Sequence, residues 1–168
     1  MAPVAVFVGT MGSGKTSVGQ AVARLLGVPF ADADAIIEER AGKPIPEIFF
    51  DDGEETFRAL ERTVVAEALG DFEGVLALGG GAILHEPTRE LLRAHTVVFL
   101  SVQLSDAVKR VGLGGGRPLL SVNPRATLKY LMDQRRPLYA SVATHTVATD
   151  GRTPEEISAE VAALLKTD

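Results

Sequence analysis

An α/β fold is predicted: a five-stranded parallel sheet between helices, in three αβα layers. Three observations carry this. Apolar runs alternate along the chain with stretches of helical periodicity. A complete G-x-x-x-x-G-K-[ST] segment, Gly9-Thr10-Met11-Gly12-Ser13-Gly14-Lys15-Thr16, stands between the first apolar run and the first periodic stretch. Finally, 168 residues at 46% hydrophobic composition supply one adequate core with little room for another, so residues 1–168 read as a single domain.

Val4–Val8 is the first strand. After the glycine segment, Val18, Ala21, Val22, Leu25 and Leu26 form one helical face, and Gly27 ends it. A short strand at Val28–Phe30 delivers Asp32 and Asp34, and a helix over Ala35–Arg40 follows, closed by Gly42. Asp52 with Glu55 has the form of a capping box, opening a long helix on Phe57, Leu60, Val64, Val65, Ala68 and Leu69. Val75–Leu78 is a buried strand running into Gly79-Gly80-Gly81, and Pro87 suits the first turn of a helix carrying Leu91 and Leu92. Thr96–Leu100 is the next strand, and Leu104, Ala107, Val108 and Val111 mark the next helix. Gly112–Pro124 reads as irregular, and a helix over Arg125–Ala140 is expected to be interrupted near Pro137. His145–Ala148 is the fifth strand; Thr153, Pro154 and Glu156 open a terminal helix that buries Ile157, Val161, Leu164 and Leu165.

With 17 basic against 22 acidic residues, the formal charge of −5 argues against a nucleic-acid or anionic-membrane surface. The chain has no cysteine, which excludes disulfides and thiolate metal sites and suits a reducing cytosol. The first apolar run is too short for a signal peptide, and no run approaches a membrane span. The expectation is a soluble cytoplasmic protein. His85, His95 and His145 share no metal-ligand spacing and read as surface or loop residues; Tyr130 and Tyr139 read as packing residues.

The glycine segment between strand and helix is a phosphate site. Its amides can curl around an anion, with a helix N-terminus behind them. Lys15 can reach the outer phosphates and the Thr16 hydroxyl can ligate Mg²⁺. Asp32 and Asp34 stand two apart at the end of a strand, so in an extended chain both carboxylates share one face. One can hold a metal-bound water and the other can take or orient a hydroxyl proton. The plainer alternative for this pair is a helix cap or a solvated turn. The triple glycine either admits a ligand close to the backbone or makes a tight turn. Arg58 has Glu54 and Glu61 at ion-pair spacing on its own helix. Arg135 and Arg136 before Pro137 suit bidentate recognition of a carboxylate or phosphate. Arg117, flanked by glycines within about 112–124, has the form of a lid arginine that reaches phosphates on closure.

Taken in order, Gly9–Thr16, Asp32-Ala33-Asp34, Phe57-Arg58, Leu78-Gly79-Gly80-Gly81, Arg117-Pro118-Leu119 and Arg135-Arg136-Pro137-Leu138-Tyr139 resemble the shikimate kinases, over nearly the whole chain. The resemblance implies a P-loop NTPase of the nucleoside-monophosphate-kinase fold class. It implies transfer of the γ-phosphoryl of ATP to the 3-hydroxyl of shikimate, on the route to chorismate and the aromatic amino acids. Gly12, Ser13, Gly14, Lys15, Thr16 and Ser17 would line the ATP site, with Lys15 and Arg117 on the phosphates and Thr16 and Asp32 on Mg²⁺. Asp34 would bind the substrate hydroxyls as base or orienting group, completing a catalytic set with Lys15 and Arg117. Arg58 and Arg135 would grip the carboxylate, with Gly79, Gly80 and Gly81 beside the acceptor; Arg136 stands next to Arg135 as the alternative clamp. Arg110 and Arg152 would border the adenine. The substrate-binding region would span about 33–61, and the enzyme would act as a monomer. A sugar-acid kinase resembling gluconate kinase, and a catalytically silent nucleotide-binding module, are the rival readings.

Overall fold

Alternate residues of the inner strands enter two separate cores, so those strands have no polar face to spare. The computed structural model describes residues 2–111 and 124–166. The expected lid, about 112–124 with Arg117, lies outside the described residues except for Pro124, which opens a helix.

The first half runs β1 (Ala5–Val8), α1 (Lys15–Leu26), β2 (Phe30–Asp32), α2 (Ala33–Ala41), α3 (Ile45–Asp52), α4 (Glu54–Asp71) and β3 (Val75–Ala77). A 3-10 turn (Ala82–Leu84) follows, then α5 (Glu86–Leu92), β4 (Val97–Ser101), α6 (Leu104–Val111), α7 (Pro124–Val142), β5 (His145–Ala148) and α8 (Pro154–Lys166). The five strands pair in the order β2-β3-β1-β4-β5, every pairing parallel, as the sequence predicts. Ala5, Phe7, Val75, Ala77, Val98 and Leu100 pack with Val18 and Val22 of α1 and Ile157 and Val161 of α8. Val6, Val8, Leu76, Val97 and Phe99 face the opposite way, toward Val64 of α4, Leu92 of α5 and Tyr139 of α7.

Neighbouring strands β1 and β3 send their chains to opposite faces: α1 lies on one side of the sheet, the 3-10 turn and α5 on the other. A crevice opens at such a reversal, beyond the carboxyl ends of the strands. That is the position of the phosphate loop and the triple glycine.

Four local expectations are corrected. The second strand is Phe30–Asp32 rather than Val28–Phe30. The segment between Gly42 and Gly53 is a further helix, α3, whose Ile48 is buried and whose Pro46 sits in its first turn. This displaces the expected capping box. Gly53 is the N-cap of α4, and Asp52 ends α3 with its carboxylate 2.7 Å from Lys43 Nζ. Finally, α7 continues through Pro137 without a break. The carbonyl that loses its donor there belongs to Asp133, on an exposed face where water can replace the bond. By contrast, the expected cap of α8 is present: Glu156 N–H donates to Thr153 Oγ1 at 3.2 Å.

Candidate active site

The phosphate loop is shaped by positive φ at Gly9 (152°), Gly12 (82°) and Gly14 (93°). Gly14 is the N-cap of α1 and contributes no side chain, which leaves the first amides of that helix open toward an anion. Lys15 folds back along the loop, its Nζ donating to Gly9 O at 2.6 Å and Thr10 O at 3.1 Å. Thr16 Oγ1 donates to Asp32 Oδ2 at 3.1 Å, joining the first turn of α1 to the end of β2. Arg110 closes the loop from α6, donating to Gly12 O at 3.1 Å, to Thr149 Oγ1 at 2.9 Å and to Thr149 O at 2.7 Å.

The aspartate pair meets in the cleft by a different route from the one expected. Asp32 is the N-cap of α2 and accepts from Asp34 N–H through Oδ1 at 2.9 Å, so Asp34 stands in the first helical turn, not in a strand. Asp32 thus divides its two oxygens: Oδ1 caps α2 and Oδ2 accepts from Thr16. Asp34 is pushed up from 3.8 to about 6, first by burial, then by the charges of Asp32 and Glu61, with Lys15 opposing. Its buried Oδ1 has no hydrogen-bond partner among the described residues.

Arg58 of α4 makes the ion pairs its spacing predicts, to Glu61 at 2.8 Å and Glu54 at 3.5 Å, and still faces the cleft. Glu61 is 4% exposed, and burial raises its pKa despite Arg58. Sequence reasoning treated Glu61 only as an ion-pair partner. The signal was its place on the apolar stripe between Phe57 and Val64, where a carboxylate needs a partner. Arg135 enters from α7, 3% exposed, with Nε unpartnered among the described residues. Arg136 turns away, exposed, with Nη2 3.5 Å from Val102 O, so Arg135 is the arginine at the cleft.

The triple glycine explains why two of the charged side chains fit here. A Cβ on Gly79 would lie 2.5 Å from Asp34 Oδ1, one on Gly81 would lie 2.4 Å from Arg58 Nη1, and one on Gly80 would touch Arg135 Nη1 at 3.5 Å. Gly79 and Gly81 each leave the space that one charged group occupies, whereas a Cβ at Gly80 would meet Arg135 at ordinary contact distance. Together with Ile45, Pro46, Phe49 and Phe57 these groups wall one half of a cleft of about 920 Å³. Gly12–Ser17, Arg110 and Arg152 line the other half, Arg152 held by Ala148 O at 2.9 Å and Glu160 at 2.7 Å. The tyrosines divide. Tyr130 is 62% exposed rather than packed, whereas Tyr139 is buried and also donates to Gly80 O at 2.6 Å.

One cleft thus holds an anion-binding loop on one side and, on the other, two guanidiniums with a buried carboxylate whose Oδ1 has no hydrogen-bond partner among the described residues. The family model for shikimate kinase matches residues 11–166. The chain belongs to the shikimate kinase family. It is 69% identical over 165 residues to the shikimate kinase of Salinispora arenicola, covering 98% of this chain and 99% of that protein. Among solved structures it is similar to shikimate kinase from Acinetobacter baumannii in complex with shikimate, with TM-score 0.94 and 38% identity over 99% of this chain and 94% of that one. A gluconokinase from Sinorhizobium meliloti is more distant, with TM-score 0.61 and 25% identity over 97% of this chain and 91% of that one. The protein is a P-loop kinase, with ATP as co-substrate. Among the described residues no helix is long and apolar enough to cross a membrane.

Proposed function

We propose that the enzyme transfers the γ-phosphoryl of ATP to the 3-hydroxyl of shikimate, with the acceptor carboxylate gripped by Arg58 and Arg135. The observation that carries this is the placement of both arginines and Asp34 on the triple-glycine floor, across one cleft from Lys15. Two guanidiniums match a ring carboxylate by bidentate hydrogen bonds, and buried carboxylates match ring hydroxyls.

Phosphoryl transfer asks the protein for alignment and charge neutralisation. The Gly12–Ser17 amides and Lys15 hold the phosphates, and Lys15 and Arg117 neutralise charge on the moving group, Arg117 being assigned on sequence grounds. Asp34 accepts the proton as the hydroxyl oxygen bonds to the γ-phosphorus and the bond to the ADP oxygen breaks. A carboxyl near 6 with an unpartnered buried oxygen suits that task at neutral pH. Arg110 and Arg152 would border the adenine at the far end of the cleft.

Among the described residues no cluster of three or more His, Asp or Glu could hold a metal alone. A hydroxyl and a carboxylate 3.1 Å apart, Thr16 and Asp32, are nevertheless the hard oxygen donors that suit Mg²⁺, whose remaining ligands are ordinarily phosphates and water. When bound there, Mg²⁺ neutralises phosphate charge and orients the leaving group. We further propose that the enzyme works as a cytoplasmic monomer of one domain on these small molecules, without nucleic acid or membrane. The test is a coupled assay with shikimate, ATP and magnesium. Steady ADP release that depends on shikimate is expected; turnover of gluconate in its place would overturn the assignment.

A further inference from the structure

We infer that Tyr139 is a positioning residue for the acceptor: its hydroxyl fixes the Gly80 peptide against the Arg135 guanidinium. The inference rests on the acceptor reading above. Tyr139 is 2% exposed, and its ring packs on Phe99 of β4 with centroids 5.1 Å apart. Its hydroxyl donates to Gly80 O at 2.6 Å. Arg135, one helical turn earlier on α7, lies in reach of the same hydroxyl. A Cβ at Gly80 would sit 3.5 Å from Arg135 Nη1 and 3.6 Å from both Tyr139 Oη and Gly9 O. The carbonyl of Gly9 is itself held by Lys15 Nζ. The Gly80 peptide is therefore where the two halves of the cleft meet.

The physical need is local. Successive glycines make a peptide that can turn over at small cost. The amides of Gly80 and Gly81 donate to no protein acceptor among the described residues. In a trans peptide the C=O of Gly80 and the N–H of Gly81 point in opposite directions. Tying that carbonyl to a phenol buried on α7 sets the direction of the Gly81 amide and gives Arg135 a fixed neighbour. Burial pushes the Tyr139 phenol up to about 12, so it remains a donor at neutral pH. Packing alone needs only the ring; the hydroxyl has the positioning work.

Tyr139→Phe keeps the ring and removes the donor. The expected result is a rise of about tenfold in the KM for shikimate, and in its Kd by calorimetry without nucleotide, as an unsatisfied buried carbonyl implies. The KM for ATP should stay within about twofold and kcat within about threefold. Phe99→Leu, which loosens the ring contact but keeps the hydroxyl, should lower Tm more than Tyr139→Phe does and raise the shikimate KM by less than about threefold. An unchanged shikimate KM in Tyr139→Phe, a parallel rise in both KM values, or loss of the fold assigns Tyr139 to packing and overturns the proposal. A wild-type protein that neither binds nor phosphorylates shikimate overturns this inference together with the functional reading.

Discussion

The two glycine clusters of this protein stand at the ends of adjacent strands and use the same residue for different physical reasons. In the phosphate loop Gly9, Gly12 and Gly14 all have positive φ, so what matters is a backbone conformation that an L side chain resists. In the triple glycine no φ is positive, and what matters is the missing Cβ. The first cluster turns amides toward an anion. The second, at Gly79 and Gly81, makes room for Asp34 and Arg58 to lie against a backbone. A substitution should therefore harm the first through the fold and the second through the chemistry.

The largest effects should come from the charged groups that each cluster serves. Lys15→Ala and Asp34→Asn are each expected to lower kcat by at least about 100-fold, with the fold retained by circular dichroism. A wild-type kcat in either would remove that residue from the reaction. Asp34→Asn should leave the KM for ATP nearly unchanged, which separates it from Lys15. Next, Arg135→Ala should cost about 2–5 kcal/mol in kcat/KM for shikimate, because the carboxylate loses a buried partner. Arg136→Ala should change it by less than about threefold, and equal losses would dissolve the distinction between them.

The comparison itself breaks or survives on the glycines. Gly79→Ala and Gly81→Ala first meet the side chains of Asp34 and Arg58 rather than backbone, so Tm should hold while the shikimate KM rises by about 30-fold or more. Gly14→Ala meets nothing nearer than 3.7 Å but must hold a φ of 93°, so Tm should fall by several degrees before any kinetic effect is read. Should Gly81→Ala unfold the protein instead, the second cluster would be conformational after all.

The smallest effect is a pH dependence that the buried carboxylate imposes. Asp34 has a folded pKa near 6 against an ordinary 3.8, so its ionised form is the disfavoured one. Stability attributable to this group is lost as pH rises from about 4 through 6, and the penalty is complete above that range. Asp34→Asn should then raise Tm at pH 8 by a few degrees and leave it unchanged near pH 4. In the free enzyme, kcat/KM for shikimate should fall on the acid side with a midpoint near 6. A flat profile between pH 5 and 8 would place the proton elsewhere.

Much of this was legible in the residues, because it depends on local patterns. Apolar period, cap signals and the glycine segment are read from neighbours in sequence, and they yielded the strands and the loop with errors of one or two residues. The helix α3 went unassigned because the eight residues between Gly42 and Gly53 that form it are too few to show a full apolar period, although Pro46 is compatible with a first helical turn. The capping box at Asp52 failed for the same reason, since the helix before it was unseen. Glu61 and Tyr139 were visible as residues but not as site groups.

What the chain alone determined is the layered parallel sheet, the anion loop at its centre and the stock of cations and carboxylates suited to phosphoryl transfer. These follow from side-chain period and backbone freedom, which act over a few residues. Only the tertiary structure decided that Arg135 rather than Arg136 enters the cleft, that Gly79 and Gly81 each shelter one charge, and that burial raises the Asp34 carboxyl to about 6. Those outcomes turn on burial and on distances between groups far apart in sequence, which no local pattern contains.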